Sequence, residues 1–457
     1  LGKPRGEVDV AEINEWSKKL YEDVDISTRG KIGVGGFDQT VRVYDRRGRV
    51  IWKHKIPTGV VRCVRFSPTG DYLFAGEASP DGNIYCFCAK TGKLCWKCGA
   101  VKDVGASSET YYGHQPKICS IVCVGERIYV SAARNQEDYI TVGSRKVKYW
   151  PKRGVIYALD LKTGELLWKF PATGSMDTSP LKVSVDASGR YLTFGGWGGS
   201  ADGRIRQKYP ENTLYLLDAI NGALIWRYSV PPVEKHGFQS ISIGGNSHIS
   251  PNGKYVACCS SDGRFFLFDM AKSVEKKMPH LIYKKAISTP IKVSGIPIYA
   301  YGGKVFVDDE GSAFLTIGRT YVAPAGKGMA STPDVKHPSE NSIIKLDRDG
   351  NTSWLWPAKG PIETPVFSKN GRYLVVAMCH NYVERSNEMA GIYCFDLKRQ
   401  GGGADKLIWY YRMEGLGLAC GISPCGKYIG AIEGPVDIDP RREYQNIVGK
   451  HRVCILS

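Results

Sequence analysis

The stretch GVIYALDLKTGELLWKF, residues 154–170, constrains this chain most, because copies of it recur from one end to the other. Ile156, Ala158 and Asp160 alternate as in one β-strand, Lys162-Thr163-Gly164 suits a tight turn, and Leu166 to Phe170 return. Close copies stand at TLYLLDAINGALIWRY (213–228) and NIYCFCAKTGKLCWKC (83–98). Looser ones are TVRVYDRRGRVIWKH (40–54), SIIKLDRDGNTSWLW (342–356) and GIYCFDLKRQGGGADKLIWYY (391–411). The length of 457 residues alone allows two or three domains, but closed repeat folds run longer than the usual domain. Abundant Gly (53), Tyr (26) and Trp (10) fit many short aromatic strands joined by turns.

A second periodicity precedes the first in each repeat. Five segments share an apolar-x-G-[KRD]-Y signal: FSPTGDYLFAG (66–76), VDASGRYLTFGG (185–196), ISPNGKYVACCSSDG (249–263), FSKNGRYLVVAM (367–378) and ISPCGKYIGAI (422–432). Weaker relatives sit at KIGVGG (31–36), GERIYVSA (125–132) and GGKVFVDD (302–309). These give eight candidate b-strands, each followed by a candidate c-strand, as in four-stranded blades with variable loops.

The pattern A-x-D-x-x-T-G-x-x-x-W resembles the repeat of quinoprotein-like (PQQ-like) β-propellers, and the S-P-x-G hairpin resembles that of WD-repeat propellers. The resemblance covers nearly all of residues 23–457. It implies an all-β fold, an eight-bladed β-propeller with seven blades as the alternative. It also implies that the repeat Asp fixes its turn and that the Trp docks on the neighbouring blade. Residues 1–22 differ in character: Asp9 and Glu12 resemble a capping box, and Val10, Ile13, Trp16 and Leu20 line one helical face. The expected organisation is therefore a short N-terminal helical extension over 1–22 and a single propeller domain over 23–457. The last unit stops after its c-strand and the first has only EDVDIST (22–28) as an a-strand. Residues 5–28 must then supply the first a-strand, and they are the candidates for the missing last d-strand as well.

Long insertions mark where function should lie. They fall at 132–153, 195–212, 316–341, 377–391 and 432–451, each in a b-to-c connection. Such connections leave a propeller on one face, and drift would not choose one connection type five times. The insertions combine basic and aromatic residues: Arg145, Lys148 and Trp150 in blade 3, Trp197, Arg204 and Arg206 in blade 4, Tyr321 in blade 6 and Arg442 in blade 8. These types favour interface hot spots, and they make up the expected partner-binding set. The net charge of +17 favours an acidic partner. Only the blade 3 loop has a clear basic excess, since Glu384, Asp437 and Asp439 compensate elsewhere, which speaks against a continuous nucleic-acid track.

Cys86, Cys88, Cys95 and Cys98 form the densest thiol group and the weak metal candidates. Their C-x-C-x6-C-x2-C spacing is not a usual zinc pattern, a Cys86–Cys95 cross-strand disulfide is conceivable, and apolar filler is the plainer account. Cys258-Cys259 is weighed against the adjacent-cysteine disulfide that quinoprotein alcohol dehydrogenases carry over their PQQ. Inside a strand, however, the two side chains point to opposite faces. The eight histidines show no H-x-x-x-H or H-x-E spacing; His248, His380 and Asp81 are weighed as a group at the ring mouth, with a satisfied loop histidine as the plainer account of each.

The sequence thus points to a non-catalytic scaffold or interaction propeller binding a protein partner or larger complex through its b–c loops, with no cofactor. The alternative is a quinoprotein-like or metal-dependent enzyme, using PQQ or a metal ion at the central mouth of that face. No run of about 18 apolar residues suggests a membrane span. The repeat type favours an extracytoplasmic setting, periplasm or cell surface, whereas fourteen cysteines suit a reducing one such as an anaerobe's cytoplasm. Leu1 in place of Met fits a chain processed or trimmed before this point.

Overall fold

Short turns fix the local structure. In the S-P-x-G and S-K-x-G copies the serine closes the turn from inside. Ser250 Oγ accepts the Tyr255 backbone N–H at 3.0 Å, and Ser368 and Ser423 do the same for Tyr373 and Tyr428, both at 2.9 Å. Asp186 takes that role for Tyr191 at 2.6 Å. The c–d turns use aspartate: Asp160 Oδ1 accepts from the N–H groups of Lys162 and Thr163, and Asp218 Oδ1 from those of Ile220 and Asn221.

The computed structural model describes residues 6–9, 21–109, 111–200, 205–231, 241–288, 290–322, 335–358, 360–379, 389–437 and 447–456. Its strands form antiparallel blades of four strands, labelled a to d from first to last, and the blade 6 sheet carries a fifth, Ile291–Val293, beside its a-strand. The chain divides into two compact units, one of Leu1–Ala78, Ile84–Cys98 and Ala358–Ser457, the other of Ser79–Asn83 and Gly99–Pro357.

In the second unit, blade 3 comprises Lys117–Val124, Arg127–Asn135, Lys152–Asp160 and Leu166–Phe170. Blade 4 comprises Val183–Val185, Tyr191–Gly195, Thr213–Asp218 and Leu224–Ser229. Blade 5 comprises Ser247–Ile249, Tyr255–Cys259, Arg264–Asp269 and Leu281–Ala286. Blade 6 comprises Ile296–Val307, Ala313–Val322, Ser342–Leu346 and Thr352–Pro357. Its b-strand is thus Ala313–Val322, and 302–309 lies in the a-strand with the a–b turn after it. The correction has a chemical reason: Asp308 accepts the N–H groups of Glu310 and Ser312, the turn-closing role that Ser or Asp plays elsewhere.

Neighbouring blades in this unit lock through the same motifs. Trp168 at the end of blade 3 donates from Nε1 to Ala219 O at 3.0 Å, and its ring covers the blade 4 turn at Gly222. A Cβ on Gly222 would lie 2.6 Å from that ring, and its φ of 75° already excludes most side chains. Tyr283 of blade 5 covers Gly350 of blade 6 in the same manner, and Tyr191 and Tyr255 cover the next blade's a–b glycines, Gly253 and Gly311. Between these contacts run apolar seams, such as Tyr129, Ile156, Phe194 and Tyr215 between blades 3 and 4.

The first unit holds blades 1, 2, 7 and 8. Blade 1 is Tyr21–Ile26, Ile32–Gly36, Thr40–Tyr44 and Val50–Lys55. Blade 2 is Val60–Phe66, Tyr72–Ala78, Asn83–Cys88 and Leu94–Gly99. Blade 7 is Ile362–Phe367, Tyr373–Met378, Gly391–Asp396 and Leu407–Arg412. Blade 8 takes Leu416–Ile422, Ile429–Gly434 and Arg452–Leu456 from the C-terminal end and Gly6–Asp9 from the N-terminal end. Gly6 to Asp9 pair antiparallel with Ile455 to Arg452, which supplies the outer strand that the last repeat lacks. Tyr21–Ile26 pairs with Ile32–Gly36, as the incomplete first repeat requires. Val24 and Ile26 pack with Ile432, Val453 and Ile455, and Tyr428 covers Gly30.

Within 1–22, then, Gly6–Asp9 is a strand, while the expected helix through Val10, Ile13, Trp16 and Leu20 lies outside the described residues. Helix among the described residues is confined to Val101–Val104, Met270–Glu275 and Gly403–Lys406. None is long and apolar enough to cross a membrane.

Replacing Trp168 by Ala should lower unfolding free energy by about 3–5 kcal/mol, and Trp168→Phe by clearly less. Denaturant titration measures both, and equal losses would mean that the hydrogen bond to Ala219 rather than the ring does the holding. Deleting residues 1–28 removes strands from blades 1 and 8 and should cost several kcal/mol in the same assay. An unchanged midpoint would contradict that role.

Candidate functional site

All five insertions separate a b-strand from a c-strand, as expected from the sequence. They lie between Asn135 and Lys152, Gly195 and Thr213, Val322 and Ser342, Met378 and Gly391, and Gly434 and Arg452. The blade 3 insertion is itself a two-stranded hairpin, Asp138–Val142 paired with Arg145–Tyr149, and belongs to no blade. Gly143 at its tip has a φ of 61°, which allows the tight reversal.

The hairpin arranges cations over aromatic rings. Lys146 Nζ lies 5.2 Å from the centroid of Tyr139, and Lys148 Nζ lies 5.5 Å from that of Trp150. Lys148 also forms an ion pair with Glu137 at 2.6 Å, which holds its ammonium above the ordinary lysine range. The Glu137 N–H donates to Glu109, whose carboxylate in turn pairs with His114. Tyr139 and Trp150 remain 48% and 43% exposed. Cation–π contacts at such exposed positions contribute roughly 0.5–1 kcal/mol each, enough to orient rings for contact.

Below the hairpin, blades 3 and 4 approach closely. Gly154 makes this possible, because a Cβ there would stand 2.4 Å from both Thr178 O and Pro180 Cδ. On the same face of blade 3, Lys152 sits opposite Asn135 in register. Its Nζ lies 4.4 Å from the centroid of Trp197, and it is only 8% exposed. Gly198 admits the lysine stem: a Cβ at that glycine would be 2.8 Å from Lys152 Cε. Burial lowers the Lys152 pKa to about 8, and the charge of Lys117 adds to that effect while Glu211 opposes it. Glu211 accepts hydrogen bonds from the Gly198 N–H at 2.7 Å and from the Ser200 hydroxyl.

The expected contact residues fare unequally. Arg145 and Lys148 lie on the blade 3 hairpin with Trp150 directly after it, and Trp197 of the blade 4 loop contacts Lys152 at the start of the next blade 3 strand. Arg206 is exposed on the blade 4 loop. Tyr321 ends the strand Ala313–Val322, but its side chain, like Arg204 and Arg442, lies outside the described residues. Lys152 is not among the contact residues expected from the sequence. In the structure it pairs with Asn135 and is buried, while the next residue, Arg153, is exposed, and no local sequence pattern marks that difference. Arg134, also in that stretch, is a structural residue: its Nε donates to Val104 O at 2.9 Å.

All fourteen cysteines are thiols rather than disulfides. Cys86 is buried while Cys95 is exposed, so that pair forms no cross-strand disulfide. No group of three or more His, Cys, Asp or Glu among the described residues is placed to hold a metal ion. Cys258 and Cys259 point into different seams, the former toward blade 4 with Trp226 and the latter toward blade 6 with Leu315. His248 accepts the Val307 N–H at 3.2 Å, and burial lowers its pKa to about 4, as for a neutral core histidine. Asp81 is exposed, and His380 lies outside the described residues.

With this geometry in hand, the family model described as outer membrane protein assembly factor BamB matches residues 38–146 and 152–311. Among solved structures, BamB from Moraxella catarrhalis aligns over 98% of this chain and 99% of its own, at 15% identity and a TM-score of 0.51. The C-terminal WD40 domain of Sif2 aligns over 100% and 99%, at 10% identity and a TM-score of 0.54. A europium-containing methanol dehydrogenase aligns over 99% and 96%, at 13% identity and a TM-score of 0.58. At these identities the likeness establishes the fold, an all-β propeller, and eight blades accord with it. The search of curated proteins returned no match.

Lys152 gives the site a pH signature. Between its folded pKa of about 8 and the ordinary value of 10.5, the unfolded chain keeps a proton that the folded chain has released. Stability therefore rises with pH through that window, and the full penalty stands below it. In phosphate-free buffer at pH 7, Lys152→Met should stabilise the protein by about 1–3 kcal/mol, and the gain should shrink by pH 10. The neighbouring Lys117, Glu211 and Cys119 are common to both proteins, so the difference isolates Lys152. A gap that stays constant with pH would show that Lys152 is not charged and buried.

Proposed function

Because this chain belongs to the family described as outer membrane protein assembly factor BamB, we propose that it is a non-catalytic propeller scaffold or interaction protein. It engages a protein partner, or a larger complex, through the b–c loops, chiefly those of blades 3 and 4. One observation carries the reading: an independent hairpin holds Tyr139 and Trp150 largely exposed against Lys146 and Lys148. Rigid aromatic side chains beside cations are the residue types that dominate binding energy at interfaces. Arg145, Lys148, Trp150, Trp197, Arg204, Arg206, Tyr321 and Arg442 are the proposed contacts. The net charge of +17 favours an acidic partner.

The reading assigns no cofactor. Cys258 and Cys259, packed into opposite seams, do not support a vicinal disulfide over a quinone. Absorbance and metal analysis of protein from its source separate the enzyme alternative, which requires a bound quinone or a stoichiometric metal.

The test is partner capture from the source organism with wild type and an Arg145→Glu, Trp150→Ala, Arg206→Glu variant that still melts cooperatively. The variant should lose the partner, and wild-type association should slow as salt shortens the Debye length below about 10 Å. Equal recovery by both proteins would overturn the assignment of this face.

A further inference from the structure

A lysine ammonium that is nine-tenths buried is costly unless something pairs with it. Among the described residues, Lys152 Nζ has neither a hydrogen-bond partner nor an ion-pair partner, and its one polar-group contact is the face of Trp197. Three polar atoms on the segments that flank Lys152 share this character. Thr178 Oγ1, Ser179 Oγ and Asn135 Oδ1 are buried without a hydrogen-bond partner. Thr178 and Ser179 lie on the segment that crosses Gly154, two residues along the same strand face from Lys152. The Ser179 N–H bonds to Trp197 O at 3.0 Å, which ties that segment to the ring over the lysine. Asn135 faces Lys152 across the strands, and its Nδ2 shares the Gly113 carbonyl with Lys117 Nζ.

Charge at this place is unbalanced. Lys117 and Lys152 raise the local potential together, whereas the Glu211 carboxylate already accepts from Gly198 and Ser200. Neighbouring hydroxyls without partners are donors in waiting, and such donors beside two ammonium groups select an anion. The backbone is shaped for the same purpose. Gly198 and Gly199, with φ of 67° and 103°, leave room for the Lys152 stem, and Gly154 lets the Thr178 segment come close to the strand that carries Lys152.

We propose that this site between blades 3 and 4 binds a small oxyanion, a carboxylate or phosphate group, held by Lys152 Nζ and the Thr178 and Ser179 hydroxyls. Lys117 reinforces the potential, and Trp197 closes one side. Asn135 Oδ1 offers an acceptor for a hydroxyl on the same ligand, such as the one a protonated phosphate carries. Trp197 is common to this site and to the proposed partner contacts, but the Lys152→Met and Thr178→Val variants leave Trp197 and the hairpin in place, so the site is tested separately from the partner.

The full chain, exchanged into phosphate-free buffer, is titrated with sodium phosphate or sodium acetate at ionic strength held constant with sodium chloride. Melting temperature and isothermal calorimetry are the readouts. Wild type should show a saturable rise in melting temperature and measurable heat, both absent in Lys152→Met. Thr178→Val, which keeps shape and removes one donor, should weaken binding about tenfold, the value of roughly one charge-assisted hydrogen bond. A response to both anions supports a general oxyanion site, and a response to phosphate or acetate alone supports the corresponding half of the proposal. No saturable response to either anion, or the same response in Lys152→Met, would overturn it.

Discussion

The contact that most often joins one blade to the next is an aromatic ring laid over a left-handed glycine of the neighbouring turn. Trp52 covers Gly92, Trp168 covers Gly222 and Tyr283 covers Gly350 at the c–d turns. Tyr191, Tyr255, Tyr373 and Tyr428 cover Gly253, Gly311, Gly426 and Gly30 at the a–b turns. A glycine is needed twice at each position, for its positive φ and for the space the ring occupies. A repeat that carries such a ring thus places it on a turn of its neighbour and not on its own, whereas Gly125 and Gly371 take no covering ring among the described residues. Trp226 shows the consequence where the pattern lapses. The next blade has Met270–Glu275 in place of a glycine turn, so the Trp226 ring packs on Phe268 and its Nε1 finds no acceptor.

A scaffold locked at its turns leaves the b–c connections free to vary. The turns that bear the rings are a–b and c–d, at the opposite ends of the strands from the insertions. Long b–c loops thus cost only closure entropy, which grows slowly with length. The blade 3 hairpin uses this freedom to hold cations over exposed rings. The same rigidity tolerates polar burial beneath it. Lys152 and the unpartnered side-chain atoms of Thr178, Ser179 and Asn135 are buried where Gly154 lets blades 3 and 4 approach.

Family and fold narrow the function without choosing it, since similar propellers include an assembly factor and a methanol dehydrogenase. The choice rests on particular side chains. Cys258 and Cys259 are adjacent in sequence, yet strand geometry sends them into different seams. Tyr139 and Trp150, by contrast, belong to a hairpin with no core to bury them, and they stay outside.

The repeat architecture, the turn chemistry and the need for an N-terminal strand were legible in the residues themselves, because period-2 alternation and Gly, Asp and Ser turns act over a few positions. Five insertion sites followed from that register. Blade 6 misled because its a–b turn uses Asp308 and Gly311 where other copies place Ser-Pro-x-Gly, so 302–309 read as the wrong strand. What only tertiary structure decided were the contacts between elements far apart in sequence. The Tyr-to-Gly locks join different copies of one motif, and no local pattern says which copy meets which. Lys152 reads as any loop lysine in the sequence, and only the packing of Trp197, Gly198 and Gly199 against it buries it, since burial is a property of what packs against a residue and not of the residue itself.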